Sequence, residues 1–199
     1  MKKILVALTL ASGLFLTGCS QSNEAATVGD FKITQTELQS SIDAVIAERS
    51  KVDTSQMQLE VGEALTRSQL SYMISNAIIE DVAKDEKIEI SASEIEAYKI
   101  EIFTNIGGEA NLPNVLVSAS IPSTSLNDVL RRDLVLRKLT EQQSSAGFDE
   151  TTINTFIQKL VTDKAKALKV TVNPRYGKWD VSTLTVVATE AAGDAVTDK

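Results

Sequence analysis

Carboxylates are the only abundant side chains here that could do acid–base or metal chemistry. Glu80-Asp81 and Asp85-Glu86 stand as adjacent pairs, and two carboxyl groups held a few ångströms apart are what acid–base hydrolysis requires. Neighbouring residues on a helix point about 100° apart, however. Both pairs also adjoin a lysine, Lys84 or Lys87, so the spacing describes a solvated charged face. Nucleophilic catalysis lacks its parts. The chain has no histidine, which excludes Ser-His-Asp and Cys-His systems and histidine-ligated zinc or haem. One cysteine, Cys19, excludes an intrachain disulfide framework and any CxxC chemistry. Gly107-Gly108 is the only glycine pair, with no phosphate-loop pattern around it. No catalytic residue, cofactor or metal ligand is expected, and the chain reads as a non-enzyme.

Charge narrows the partners. The 199 residues carry 20 Lys+Arg and 27 Asp+Glu, for a net −7. Lys2 and Lys3 are the only charges among the first 18 residues, so the remainder carries −9. An acidic chain without a basic cluster has no footprint for nucleic acid and no polybasic patch for anionic lipid. The one thiol has a different use. Lys2-Lys3, the apolar run Ile4–Leu16 and then Leu16-Thr17-Gly18-Cys19 resemble a bacterial lipobox. That run is too short to span a bilayer of about 30 Å. The resemblance implies a lipoprotein signal peptide over 1–18, cleavage before Cys19, and a diacylglyceryl thioether on Cys19, usually with an acylated amine such as palmitate. Two or more acyl chains anchor stably where one does not. The location expected is the extracytoplasmic face of the cell membrane.

The elements that must be positioned follow in order. Residues 19–26, small and polar, read as a tether. Thr27–Ile33 alternates apolar residues around the turn pair Gly29-Asp30 and reads as a short hairpin. Thr34 with Glu37 forms a capping box for a helix to about Arg49 bearing Leu38, Ile42, Val45 and Ile46 on one face. Ser50–Leu65 reads as a loop. Thr66 with Gln69 reads as a second capping box, opening the central helix Thr66–Glu86. On that helix Leu70, Met73, Ile74, Ala77, Ile78 and Val82 form the apolar stripe, which Tyr72, Ile79 and Ala83 widen to a second flank. Ser91 with Glu94 caps a third helix with Ile95, Tyr98, Ile102, Phe103 and Ile106 on one face, ended by Gly107-Gly108. Asn111–Ser123, with Pro113 and Pro122, reads as a loop. A fourth helix carries Leu126 to Leu139 and a fifth spans Asp149–Leu168, its lysines suited to the negative end of the dipole. Val170–Val172 reads as a strand, Asn173–Asp180 as a turn-bearing segment, and 181–199 as a disordered tail.

TVGDFKITQTEL, the long helix running into KDEKIEISASEIE, and VTVNPRYGKWD together resemble the SurA N-terminal-domain family over about Thr27–Asp180. This is the chaperone part of SurA and of PrsA-like foldase lipoproteins, related in fold to trigger factor. The resemblance implies a mainly α fold, a five-helix chaperone module over 27–180. In it a small β element joins the N- and C-terminal segments, with Val170–Val172 near Thr27–Ile33. One departure stands out: between the fourth and fifth helices there is no room for a parvulin prolyl-isomerase domain.

The function implied is a membrane-anchored, non-catalytic holdase for unfolded or nascent secreted polypeptides. Tyr72, Met73, Tyr98 and Phe103 are the candidates to line its client surface, because flexible methionine and aromatic side chains adapt to varied partners. One alternative is a prolyl cis-trans isomerase-type foldase. Another is an assembly lipoprotein with one dedicated envelope partner, docking through Tyr176 and Trp179. The central helix is expected to pack one flank against the helices of Ile42, Tyr98 and Leu130. Whether its other flank is covered decides the function.

Overall fold

The computed structural model describes residues 23–189. The expected signal segment 1–18, Cys19 and residues 20–22 of the expected tether lie outside the described residues, as does the stretch from 190 onward. The elements are β1 (Glu24–Val28), β2 (Phe31–Thr34), α1 (Gln35–Arg49), α2 (Gly62–Asp85), α3 (Ala92–Asn105), α4 (Leu112–Ser118), α5 (Leu126–Ser145), α6 (Glu150–Ala167), β3 (Thr171–Val172), β4 (Lys178–Asp180) and β5 (Thr185–Val187). The fold is mainly helical, as expected, with the short α4 added to five long helices.

Local chemistry explains most of the starts and turns. Gly29 takes φ +59° between β1 and β2, a conformation that an L side chain reaches only with strain. Its N–H donates to Leu168 O at 2.8 Å, and a Cβ there would meet Leu168 Cδ2 at 3.0 Å. The hairpin tip is thus pressed onto the end of α6. Both expected capping boxes at Thr34 and Ser91 form. Glu37 N–H donates to Thr34 Oγ1 at 3.1 Å while Thr34 N–H donates to Glu37 Oε2 at 2.7 Å. Ser91 and Glu94 repeat the exchange, and Asp149 caps α6 by accepting from Thr152 N–H at 2.9 Å.

β1 is the central strand of an antiparallel sheet ordered β2-β1-β3. Ala26 faces Val172 and Thr27 faces Thr171, so the small β element joins the two ends of the domain as expected. The tether read over 19–26 is therefore too long at its C-terminal side. Glu24–Ala26 belong to β1, and Ala25 and Ala26 are buried in the core where β1 packs on α2.

Four further expectations give way. First, α2 begins at Gly62 rather than Thr66, with Val61 as an N-cap that offers no side-chain bond. Thr66 Oγ1–H bonds back to Gly62 O at 3.0 Å inside the helix, so the Thr66–Gln69 box does not form. Leu65 is buried, and holding it there draws the helix start one turn earlier. Second, the loop read over Asn111–Ser123 contains α4, with Pro113 in its first turn, where a missing N–H is harmless. Leu116 and Val117 bury one face of this short helix.

Third, the described part of the expected tail is folded. β5 pairs antiparallel with β4, Val186 lies opposite Trp179, and Val186 is buried. The Val186 N–H donates to Ser71 Oγ at 2.8 Å, which fastens this hairpin to α2. A three-residue strand has almost no signal of its own, and only packing on α2 makes it stable. Fourth, α3 packs on α5 rather than along α2, and none of its residues is fully buried.

The core is organised around α2. Leu70, Ile74, Ile78 and Val82 are sealed from solvent, each contributing about 1.5–3 kcal/mol. Around them pack α1, α5, α6, β1 and β5. α5 passes to α6 through the short turn Ala146–Asp149, which holds no inserted domain.

Candidate functional site

α1 and α5 both lie on α2, and α1 meets α5 through the turn Ser123–Ser125 that leads into it. The space left between them is a solvent-open cleft of about 1040 Å³. That is the upper end of the range for ligand sites. Its floor is a face of α2 carrying Tyr72, Met73, Asn76 and Ala77. One wall is the first half of α1, the other the start of α5, and the hairpin tip Val28–Phe31 with Leu168 closes one end. Phe31, 57% exposed, stands at that end as an uncovered aromatic ring.

Of the four sequence-predicted client residues, the structure brings Tyr72 and Met73 together in this cleft. Tyr98 and Phe103 lie elsewhere, half-buried on α3. The Arg137 guanidinium sits 5.1 Å from the Tyr98 ring centre and Lys99 Nζ sits 5.9 Å from that of Phe103. Tyr72 has a similar cation, Arg132, at 5.4 Å. Burial raises the Tyr72 hydroxyl above its ordinary pKa. Its Oη and the Asn76 Oδ1 one turn along are both shielded from solvent, and the Asn76 side chain partly offsets that rise. Tyr176 and Trp179, the docking candidates, are half-buried and packed against the edge of the core. Trp179 Nε1 is shielded and finds no hydrogen-bond partner among the described residues.

Of the second flank Ile79 and Ala83 are covered while Tyr72 lines the cleft, and Met73 and Ala77 of the main stripe line it too. The open side of α2 therefore takes Tyr72 from the second flank and Met73 and Ala77 from the main stripe, cutting across the division that the sequence pattern suggests. An apolar side chain carries no mark of which neighbour will cover it.

A polar network absent from the sequence analysis ties α1 to α2 and to the connection Ser120–Ser123 that leads into α5. Gln69 is 3% exposed and sits in the apolar face of α2. It accepts from Ser41 Oγ–H of α1 at 2.8 Å and donates through Nε2 to Ser120 O at 2.8 Å. Arg49 donates to Ser120 Oγ at 2.9 Å and to Glu60 O at 2.7 Å. Glu48, also buried, accepts from Ser123 Oγ–H at 2.5 Å and Lys51 Nζ at 3.0 Å. The hydrogen bond from Ser123, then that from Lys51, lowers its carboxyl pKa. One signal was available: Gln69 interrupts the row Leu65, Gln69, Met73 at helical spacing, and a polar residue there needs partners.

Ion pairs hold the other helices to α2. Arg131 of α5 grips Glu80 with Nε at 2.7 Å and a second nitrogen at 3.1 Å, and also donates to Ile90 O. Lys164 of α6 pairs with Asp81 at 3.1 Å and with Asp85. The carboxylate pairs of α2 are thus partly spent on cations of neighbouring helices, and each such half-exposed pair stabilises by about 0.2–1 kcal/mol. Among the described residues no cluster of carboxylates or cysteine suits a metal ion. No described helix is long and apolar enough to cross a membrane.

A family model described as the SurA-like N-terminal domain matches residues 1–140, well over half of the chain. The matched stretch runs from the N-terminus almost to the end of α5. α6 and β3–β5 lie beyond it, although they complete the core. No curated protein and no solved structure matches the chain.

Proposed function

Because the chain belongs to the SurA-like N-terminal domain family, a chaperone-type family, we propose that it is a non-catalytic holdase for unfolded secreted polypeptides. Clients bind in the cleft between α1 and α5. The supporting observation is the cleft floor, where Met73, Ala77 and Tyr72 are presented between α1, which Gln69 ties to α2 and to the Ser120 carbonyl, and the start of α5. An unfolded chain offers apolar side chains of many shapes, and the flexible thioether of Met73 can repack against them. Rigid walls keep the floor from collapsing shut, and partial exposure of apolar surface is what an interaction site requires. Lipidation of Cys19 would place this cleft at the extracytoplasmic face of the cell membrane, where secreted chains emerge unfolded.

Two experiments test this. The chain without residues 1–19 should slow the aggregation of a chemically unfolded client, and Met73→Glu should weaken that protection while leaving the fold intact. Protection equal to that of an inert protein of the same size sinks the holdase reading. For the anchor, the full chain should incorporate labelled fatty acid and partition with membranes. Cys19→Ser should do neither.

A further inference from the structure

The charge around the cleft is one-sided. Asp30 on the hairpin tip, Glu37 on α1, Asp128 on α5, and Glu80 with Asp81 on α2 contribute five carboxylates, against two cations, Lys84 and Arg131. Pairing takes Glu80 and Asp81 out of this balance and leaves Asp30, Glu37 and Asp128 against Lys84. Arg131 is held by Glu80 with two hydrogen bonds, so its charge is already matched. Asp81 is likewise matched by Lys164. Among the described residues Asp30 and Asp128 form no ion pair; Asp30 stands at the hairpin end of the cleft and Asp128 on its α5 wall.

Resting on the cleft reading above, we propose that the cleft selects extended polypeptide segments that carry Lys or Arg beside an apolar side chain. The apolar group covers Met73 and Ala77, and the cation lies near Asp30 or Asp128. The geometry suits long basic side chains, which lay an aliphatic stem on apolar surface and keep the charged head at a wet rim. A net −7 on the whole chain draws such segments in from solution. The chain's own C-terminal stretch is a poor occupant by the same rule, since residues 190–199 include Glu190, Asp194, Asp198 and only Lys199 as a cation. Residues 1–18, with Lys2 and Lys3 beside an apolar run, fit the rule but leave with the expected signal peptide, so the partner is a basic segment of another polypeptide.

Three fluorescent peptides of equal length and equal apolar content, carrying two lysines, two glutamines or two glutamates, are titrated with the protein and followed by anisotropy. At low ionic strength the lysine peptide binds about tenfold tighter than the glutamine peptide, and the glutamate peptide binds weakest. At ~1 M salt, where screening acts within about 3 Å, the three converge. Asp30→Asn with Asp128→Asn removes the lysine preference and leaves the glutamine peptide unaffected, since both residues are exposed and bear no structural hydrogen bond among those described. Equal binding of all three peptides overturns the charge selection and leaves the cleft reading standing. A lysine preference that survives the double substitution places the selecting charges elsewhere and also overturns it. Failure of every peptide to bind, with Met73→Glu indistinguishable from the parent, overturns the cleft reading and this inference with it.

Discussion

Replacing Gln69 by leucine makes the core more apolar and should nonetheless weaken the fold. The Gln69 side chain is 3% exposed and makes two hydrogen bonds, one to Ser41 Oγ and one to Ser120 O. Losing both removes about 1 kcal/mol each, and leaving the Ser120 carbonyl without this donor costs about 1–3 kcal/mol more. Ser120 is also held at φ +53°, a left-handed conformation that costs about 1–2 kcal/mol and persists only when surrounding bonds enforce it. Against this, the extra apolar burial of leucine returns about 1 kcal/mol, and the Ser41 hydroxyl can turn to water. The net is a loss of about 2–4 kcal/mol, which for a domain of this size lowers the melting temperature by about 4–16 °C. Urea unfolding followed by circular dichroism measures it, with an unchanged slope showing that only stability has moved. Because Gln69 ties α1 to the connection before α5, the same variant should also lose client protection before it unfolds. A Gln69→Leu protein that melts at or above the parent refutes the reasoning. The wall spacing would then rest on packing alone.

Gly177 offers a sharper steric test, because a Cβ there would lie 2.2 Å from Val187 O in a residue already at φ +129°. Gly177→Ala should displace the β4–β5 hairpin, shift the emission of Trp179, the only tryptophan, to the red, and destabilise by at least about 1 kcal/mol. Unchanged emission would mean that the hairpin is not docked on α2 in solution. The Glu94 carboxyl is lowered from 4.5 to about 2, first by Lys138 and then by Ser91. A depressed carboxylate stabilises the fold fully above its unfolded pKa and loses that contribution as pH falls, here from 4.5 towards 2. Glu94→Gln should flatten the acid limb of a melting-temperature profile across that window, and a limb as steep as the parent's would remove Glu94 from its causes. Finally, a chain ending at Ser145 keeps the family-matched stretch but loses α6 and β3–β5, which pack on α2, α5 and β1. It should show little cooperative unfolding by calorimetry, and a sharp transition would show that the matched region folds alone.

Several features of this protein were legible in the sequence because they depend on residues three or four apart. The capping boxes at Thr34 and Ser91 exchange hydrogen bonds between an N-cap and its third neighbour, so the pair itself specifies the helix start. Gly29-Asp30 sets the hairpin tip, and the 3.6-residue stripe on α2 marks a core helix before any partner is known. The resemblance to SurA N-terminal domains likewise rests on such local stretches, and the family match agrees with it. Tyr72 and Met73 could be singled out as adaptable apolar residues, although nothing local distinguished them from Tyr98 and Phe103.

Only the tertiary structure decided the rest, because burial and hydrogen bonding belong to pairs of distant segments. α2 starts at Gly62 with no local cap, since sealing Leu65 into the core outweighs the missing N-cap bond. Thr185–Val187 becomes a strand because Ser71, more than a hundred residues earlier, meets Val186 N–H. Gln69 belongs in an apolar stripe because Ser41 and Ser120 arrive to satisfy it. On α2 itself Ile79 and Ala83 are covered while Met73 and Ala77 look out between α1 and α5. All four are equally apolar, so the difference is one of position: the sequence specifies that a face wants cover, and the arrangement of the other helices determines which part of it is left for a client.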